Sequence, residues 1–185
     1  MSNKQHLPFV AFFRNLNLGR RNRPTRQQFK AAFIEAGATA AASFLTNGTI
    51  AFQARGIGDA RDVLARACDL LEGACGLDEP AFLRRLSHLQ ALVRAEPFAA
   101  IDRGSIDDCY ITLLHDDAVL PEHLPRASRS NDVEIIHLTA AEAMCVSRRF
   151  SNTPGSPNAF LEKMLELPAT TRAWNTVVRL VAKYS

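Results

Sequence analysis

Between Arg14 and Arg23 the chain sets four arginines and three asparagines around a single glycine, Gly19, directly after an apolar run and just before a helical pattern. Guanidinium groups hold carboxylates and phosphates as bidentate donors, and a helix start adds exposed backbone N–H groups and the positive end of its dipole. The chemistry such a loop can do is to hold an anion. Its candidate ligand-binding residues are Arg14, Asn17, Gly19, Arg21 and Asn22. The competing reading needs no ligand: asparagines in such loops bond their own backbone in turns, and a basic loop is ordinarily a solvated face.

Catalytic patterns are thinner. His6, His88, His115, His123 and His137 fall in no metal-binding or zincin spacing, and neither a nucleophile elbow nor a phosphate-binding P-loop occurs. Gly56-Ile57-Gly58 is too short for a dinucleotide fingerprint. Cys68, Cys75, Cys109 and Cys145 form no C-x-x-C pair and read as buried, reduced thiols. Asp107-Asp108 and Asp116-Asp117 flank a strand pattern, where adjacent carboxylates usually serve turns. No metal, no cofactor and no catalytic residue is therefore assigned, and the reading leans away from an enzyme.

These residues must be positioned by a real core. A chain of 185 residues, 47% hydrophobic and 22% charged, is globular in composition and long enough to bury roughly 70% of its unfolded surface. Its net charge of +3 is too small to argue for nucleic acid on totals alone. The apolar run before Arg14 lacks a cleavage site and no stretch is long enough for a membrane span, so the expected location is the cytoplasm, with no membrane partner.

Phe9 to Phe13 is apolar on both faces, which predicts a strand covered on both sides. Thr25 and Gln28 have capping-box spacing, and Phe29, Ala32, Phe33 and Ala36 continue a helical stripe up to Gly37. Two strand patterns, Ser43 to Thr46 and Thr49 to Phe52, flank Asn47-Gly48, a pair suited to a type I′ turn. A second helix from about Asp59 carries Val63, Leu64, Ala67, Leu71 and Ala74 on one stripe and ends at Gly73 or Gly76, followed by a strand from Pro80 to Arg84. The order β-α-β-β-α-β is ferredoxin-like: a four-stranded antiparallel sheet with both helices on one face and the other face open.

Ser87 and Gln90 then open a connector helix that stops before Pro97. Cys109 to His115, Val133 to Leu138 and Ala143 to Arg148 read as strands, with Pro121 to Ala127 a loop or short helix between the first two. Ser156-Pro157 starts a helix bearing Phe160, Leu161, Met164 and Leu165. In Thr170 to Thr176 a threonine caps the last helix, Trp174 anchors it, and Arg172 sits by its first turn, where the dipole calls for a counter-group.

Phe12 to Leu16 resembles the second ribonucleoprotein motif of RNA-recognition domains, but the third strand offers only Phe52 where two spaced aromatics are needed, so Phe13 reads as core. A wider resemblance covers nearly the whole chain. The stretches Phe9 to Asn22, Phe44 to Phe52 and Thr170 to Thr176 resemble the bacterial domain-of-unknown-function family numbered 1697 (DUF1697), whose motifs read R-G-I-N-V-G-G-K-N, S-G-N-V-V-F and T-T-R-N-W-N-T. Arg14, Asn17, Gly19, Asn22, Gly48, Phe52, Thr171, Arg172, Trp174, Asn175 and Thr176 agree. Asn15, Arg20, Thr49 and Ala173 depart. The resemblance implies α+β architecture with two ferredoxin-like (βαββαβ-type) subdomains, each with an antiparallel sheet. It also adds Arg172 and Asn175 to the candidate anion site, near the Arg14 loop. The expected segments are 1–86, a connector 87–104, and 105–185. Function reads as a small binding module for a phosphate-bearing ligand, a nucleotide or nucleic acid. The alternative is a structural or homo-oligomeric interaction protein.

Overall fold

β1 (Phe9–Phe13) is buried at every position, as a strand apolar on both faces requires. The computed structural model describes residues 7–122, 125–148 and 154–184, and His6 and His123 fall outside them. The chain divides into two units, one of residues 1–91 with 180–185 and the other of residues 92–179.

In the first unit β1 is followed by α1 (Arg26–Glu35), β2 (Ala40–Phe44), β3 (Thr49–Gln53), α2 (Ile57–Cys75) and β4 (Ala81–Arg85). The sheet order is β2-β3-β1-β4, antiparallel throughout, which is the ferredoxin-like arrangement. The expected capping box is present: Thr25 Oγ1 accepts from the Gln28 N–H, and Gln28 Oε1 accepts from the Thr25 N–H. α2 ends on Gly76, whose φ of 66° and bond to the Glu72 carbonyl make a left-handed cap. It begins two residues before Asp59, because that carboxylate reaches back to the Arg55 N–H and stabilises an earlier first turn.

The stripes of α1 and α2 close over one sheet face. Phe9, Phe52, Phe33, Phe29 and Phe13 form a chain of ring contacts with centroids 5.1 to 5.9 Å apart, in tilted and edge-on geometry. Val63, Leu64, Ala67 and Leu71 seal it from α2. Phe13 is thus a core residue and no base-stacking platform. The opposite face, expected from the first six elements to be open, is also buried: Val10, Phe12, Thr49, Ala51, Phe82 and Arg84 are all nearly inaccessible.

β4 runs without a linker into α3 (Leu86–Arg94), so the helix starts one residue before the Ser87 cap expected from spacing. The second unit comprises β5 (Asp108–Leu113), β6 (Val133–Leu138), β7 (Glu142–Ser147), α4 (Pro157–Leu165) and β8 (Thr170–Ala173). Its order, β6-β7-β5-β8, repeats that of the first sheet. Among the described residues no helix joins β5 to β6, so this copy has a loop where the first unit has α1. α4 starts as its Ser156 cap predicts, with Leu161 buried beneath it among Val133, Ile135, Ala143 and Cys145. The stretch expected to cap the last helix is instead β8, because Thr170 and Thr171 are β-branched and pair with Leu113 and Thr112 of β5. α5 (Trp174–Tyr184) follows directly.

All four cysteines are free thiols, Cys109 and Cys145 buried and Cys68 and Cys75 half-buried. Burial pushes the Cys145 thiol up to about 12 and the Cys68 thiol to about 11, from an ordinary 9.0. Both stay protonated in the folded protein, and the thiolate is the nucleophile. Iodoacetamide at pH 8 should therefore label Cys75 first and leave Cys145 untouched until denaturant is added, read by peptide mass mapping. Because the folded values lie above the unfolded one, the thiols' contribution to stability is complete below pH 9. It falls as pH rises from there toward the folded values. Labelling of Cys145 at the denatured rate would contradict its burial.

Candidate functional site

The loop from Arg14 to Thr25 leaves the end of β1 and must satisfy its backbone without a strand partner. It does so against two neighbours. The Phe13 N–H donates to the Gly48 carbonyl at 2.8 Å and the Leu18 N–H to the Thr46 carbonyl at 2.8 Å, while the Arg14 N–H donates to the Pro80 carbonyl at 3.0 Å. Leu16 and Leu18 turn inward into the first unit's core, and Asn15, Asn17, Gly19, Arg20, Arg21 and Asn22 are exposed between and beyond them. The Gly19 N–H to Pro24 carbonyl bond at 2.9 Å closes the tip, and Arg23 N–H to Arg20 carbonyl at 3.0 Å folds it into a turn.

Three loop residues take left-handed backbone: Asn15 at φ 48°, Gly19 at 77° and Asn22 at 57°. Asparagine is the residue that tolerates this region best after glycine. Asn15, where the family motif has glycine, takes a backbone form that glycine also adopts freely.

Those clamps also explain the hairpin. A two-residue turn at Asn47-Gly48 was expected, whereas β2 and β3 are joined by the four residues 45–48, with Leu45 at φ 56° and Gly48 at φ 68° in left-handed form. The longer loop turns the Thr46 and Gly48 carbonyls toward the β1–α1 loop. A Cβ on Gly48 would stand 2.7 Å from Leu16 Cβ, so both the conformation and the contact demand glycine.

Arg14 is not available to a ligand as the other arginines are. Its guanidinium donates to Glu79 Oε2 at 3.0 Å in a half-buried pair, and Asn15 Nδ2 lies 3.5 Å from Glu79 Oε1. Glu79 escaped the sequence reading, although strand order could have found it: β4 pairs antiparallel with β1, which brings the residues before β4 to the end of β1. Arg20, Arg21 and Arg23 have no carboxylate partner among the described residues. At the start of α1 the capping box uses the amides of Thr25 and Gln28, which leaves Arg26 and Gln27 with first-turn N–H groups lacking a protein acceptor among the described residues. The helix has no acidic residue in its first turn.

Arg172 and Asn175 belong to the second unit. Arg172 lies in β8, not at a helix start, and is buried. It donates to Thr170 Oγ1 at 2.8 Å and to the Thr171 carbonyl at 2.9 Å, and burial lowers its pKa to about 10, which keeps it charged at neutral pH. Asn175 is exposed in the first turn of α5, and the neighbouring Trp174 packs edge-on against Phe98 at 5.4 Å. Within the aspartate pairs, Asp108 Oδ1 accepts from the Cys109 N–H at 2.7 Å, and the Asp117 backbone N–H donates to His115 Nδ1 at 3.2 Å. No group of three His, Cys, Asp or Glu among the described residues is placed to hold a metal. No helix of the described residues is long and apolar enough to cross a membrane.

Gly48→Ala should cost about 2 kcal/mol or more in denaturant unfolding, since a left-handed alanine alone costs roughly 1 to 2 kcal/mol and Leu16 must also move. Gly19→Ala, with open space around the new Cβ, should lose only the conformational part; equal losses would place the clamp elsewhere. A double-mutant cycle on Arg14→Ala and Glu79→Gln should give a coupling of about 0.5 to 1 kcal/mol, reduced by the partial exposure of both side chains.

In comparison with known proteins, the family described as "Protein of unknown function (DUF1697)" matches residues 7–143, a span that holds the whole loop and hairpin and stops short of Thr170 to Thr176. No curated protein and no solved structure matches.

Proposed function

The chain belongs to the DUF1697 family, and from that footing we propose that it is a binding module whose β1–α1 loop takes a phosphate-bearing anion. The observation that carries the reading is the contrast within the loop. Its backbone is pinned by bonds to Thr46, Gly48 and Pro80, yet Arg20, Arg21 and Arg23 extend from it without a carboxylate partner among the described residues. A fixed frame that leaves its cations unspent has already lost the entropy that a ligand would otherwise have to overcome. Arg21, Asn17 and Asn22 would donate to the anion, joined by Arg20 and by the first-turn amides of α1, while Gly19 gives the tip its shape and Arg14 holds the loop through Glu79. Arg172 and Asn175, from the second unit, enter this reading only through the family motif.

The alternative, a homo-oligomeric or structural protein using its aromatic sheet, draws less support. Phe9, Phe13 and Phe52 are spent inside the first unit's core, and the large exposed hydrophobics among the described residues are Ile34 and Val119.

Calorimetric titration with inorganic pyrophosphate at low salt should show binding that weakens about tenfold or more in Arg20→Ala/Arg21→Ala, with the unfolding midpoint unchanged. Absence of binding at low salt, or binding indifferent to that double change, would refute the proposal.

A further inference from the structure

The modest total charge hides a sharp partition. Residues 1–34 contain seven Lys and Arg and no Asp or Glu, and Glu35 is the first acidic residue of the chain. Residues 1–91 with 180–185 carry thirteen basic against seven acidic residues, while residues 92–179 carry nine against twelve. The whole basic excess belongs to the first unit, and most of it to the segment that forms the loop and α1.

Arg14 is paired with Glu79, so it drops out of the count. Besides Lys4, which falls outside the described residues, Arg20, Arg21, Arg23, Arg26 and Lys30 remain, none with an acidic partner among the described residues. Arg26 and Lys30 are four apart on α1, hence on one face of the helix and about 6 Å apart along its axis. Both are exposed; Arg26 donates to the Leu45 carbonyl at 3.2 Å, which tethers its head group toward the hairpin side of the loop. The loop cations and this helical pair form one tract longer than a single phosphate can occupy.

The tract offers no ring for a base to stack on. Its aromatics, Phe29 and Phe33, are fully buried, as is the Phe12-Phe13 pair that precedes it. Contacts would fall on backbone phosphates, which fix position without reading sequence.

Building on the reading of the loop as an anion site, we infer that its ligand is a phosphodiester polymer: the tract Arg20, Arg21, Arg23, Arg26 and Lys30 tracks the backbone of a nucleic-acid duplex without sequence preference. Five phosphate contacts on duplex DNA would give a log–log salt slope of about −4.5, against a far shallower one for a single small anion.

The test uses the full chain, a fluorescein-labelled 20-base-pair mixed-sequence DNA duplex, and anisotropy titrations from 50 to 200 mM NaCl. Binding should be insensitive to sequence, with a slope between about −3 and −4.5. Lys30→Gln should weaken duplex binding about threefold and flatten the slope by about 0.9, while leaving pyrophosphate binding at the loop unchanged. Circular dichroism of the variant confirms the fold. If pyrophosphate binds, depends on Arg20 and Arg21, and the duplex does not bind or ignores the helix variant, the inference falls and the loop reading survives. If neither probe binds, both fall. Binding to phosphatidylserine vesicles through the same residues, without duplex binding, would overturn the inference in favour of an anionic membrane surface.

Discussion

The first unit depends on how its central strand ends. β1 is buried on both faces and paired on both edges, so the chain leaving Phe13 has to make its bonds at once or bury unsatisfied amides, each at a cost of about 1 to 3 kcal/mol. The β2–β3 loop supplies the acceptors. Its Gly48 and Thr46 carbonyls take the Phe13 and Leu18 amides, and Leu16 packs onto Gly48 where no side chain could stand. From that one junction follow the four-residue hairpin, the alternation of inward leucines with outward polar residues, and the exposure of the arginines.

A loop fixed in this way differs from a merely basic one. Inward Leu16 and Leu18 give it a hydrophobic root, and three left-handed residues give it a definite shape, so its guanidinium groups radiate from a frame. Arg14 shows the other fate of an arginine here: once Glu79 comes within 3.0 Å it becomes part of the frame. Division of labour within ten residues, some cations holding the loop and others facing out, is what gives the loop its chemical character.

Much of this was legible in the sequence. The capping box at Thr25 and Gln28, the stripes of both early helices, and the order of the first six elements follow from spacing that local structure alone dictates. The repeated strand order of the second sheet came only with the family resemblance, because the missing helix between β5 and β6 breaks the pattern. The turn type and the secondary structure of Thr170 to Ala173 were misread for one reason. Asn47-Gly48 and a threonine before a hydrophobic run have clear local preferences, yet distant partners, Leu18 in one case and β5 in the other, decided the outcome. Glu79 is a long-range partner too, 65 residues from Arg14, and only the strand order brings it into view.

One contact sets a timetable for synthesis. Phe44, at the end of an edge strand, rests edge-on against Tyr184 at 6.2 Å, with Lys183 over its ring, so the first unit to emerge from the ribosome is finished by residues made much later. Its first two helices and four strands are complete by residue 85, but that ring stays without its partner while roughly a hundred further residues are made, at 5 to 20 residues per second. For several seconds the nascent chain carries a nearly folded sheet with an uncovered aromatic at its rim. Synthesis of α5, more than of any element between, is when the first unit acquires its final surface.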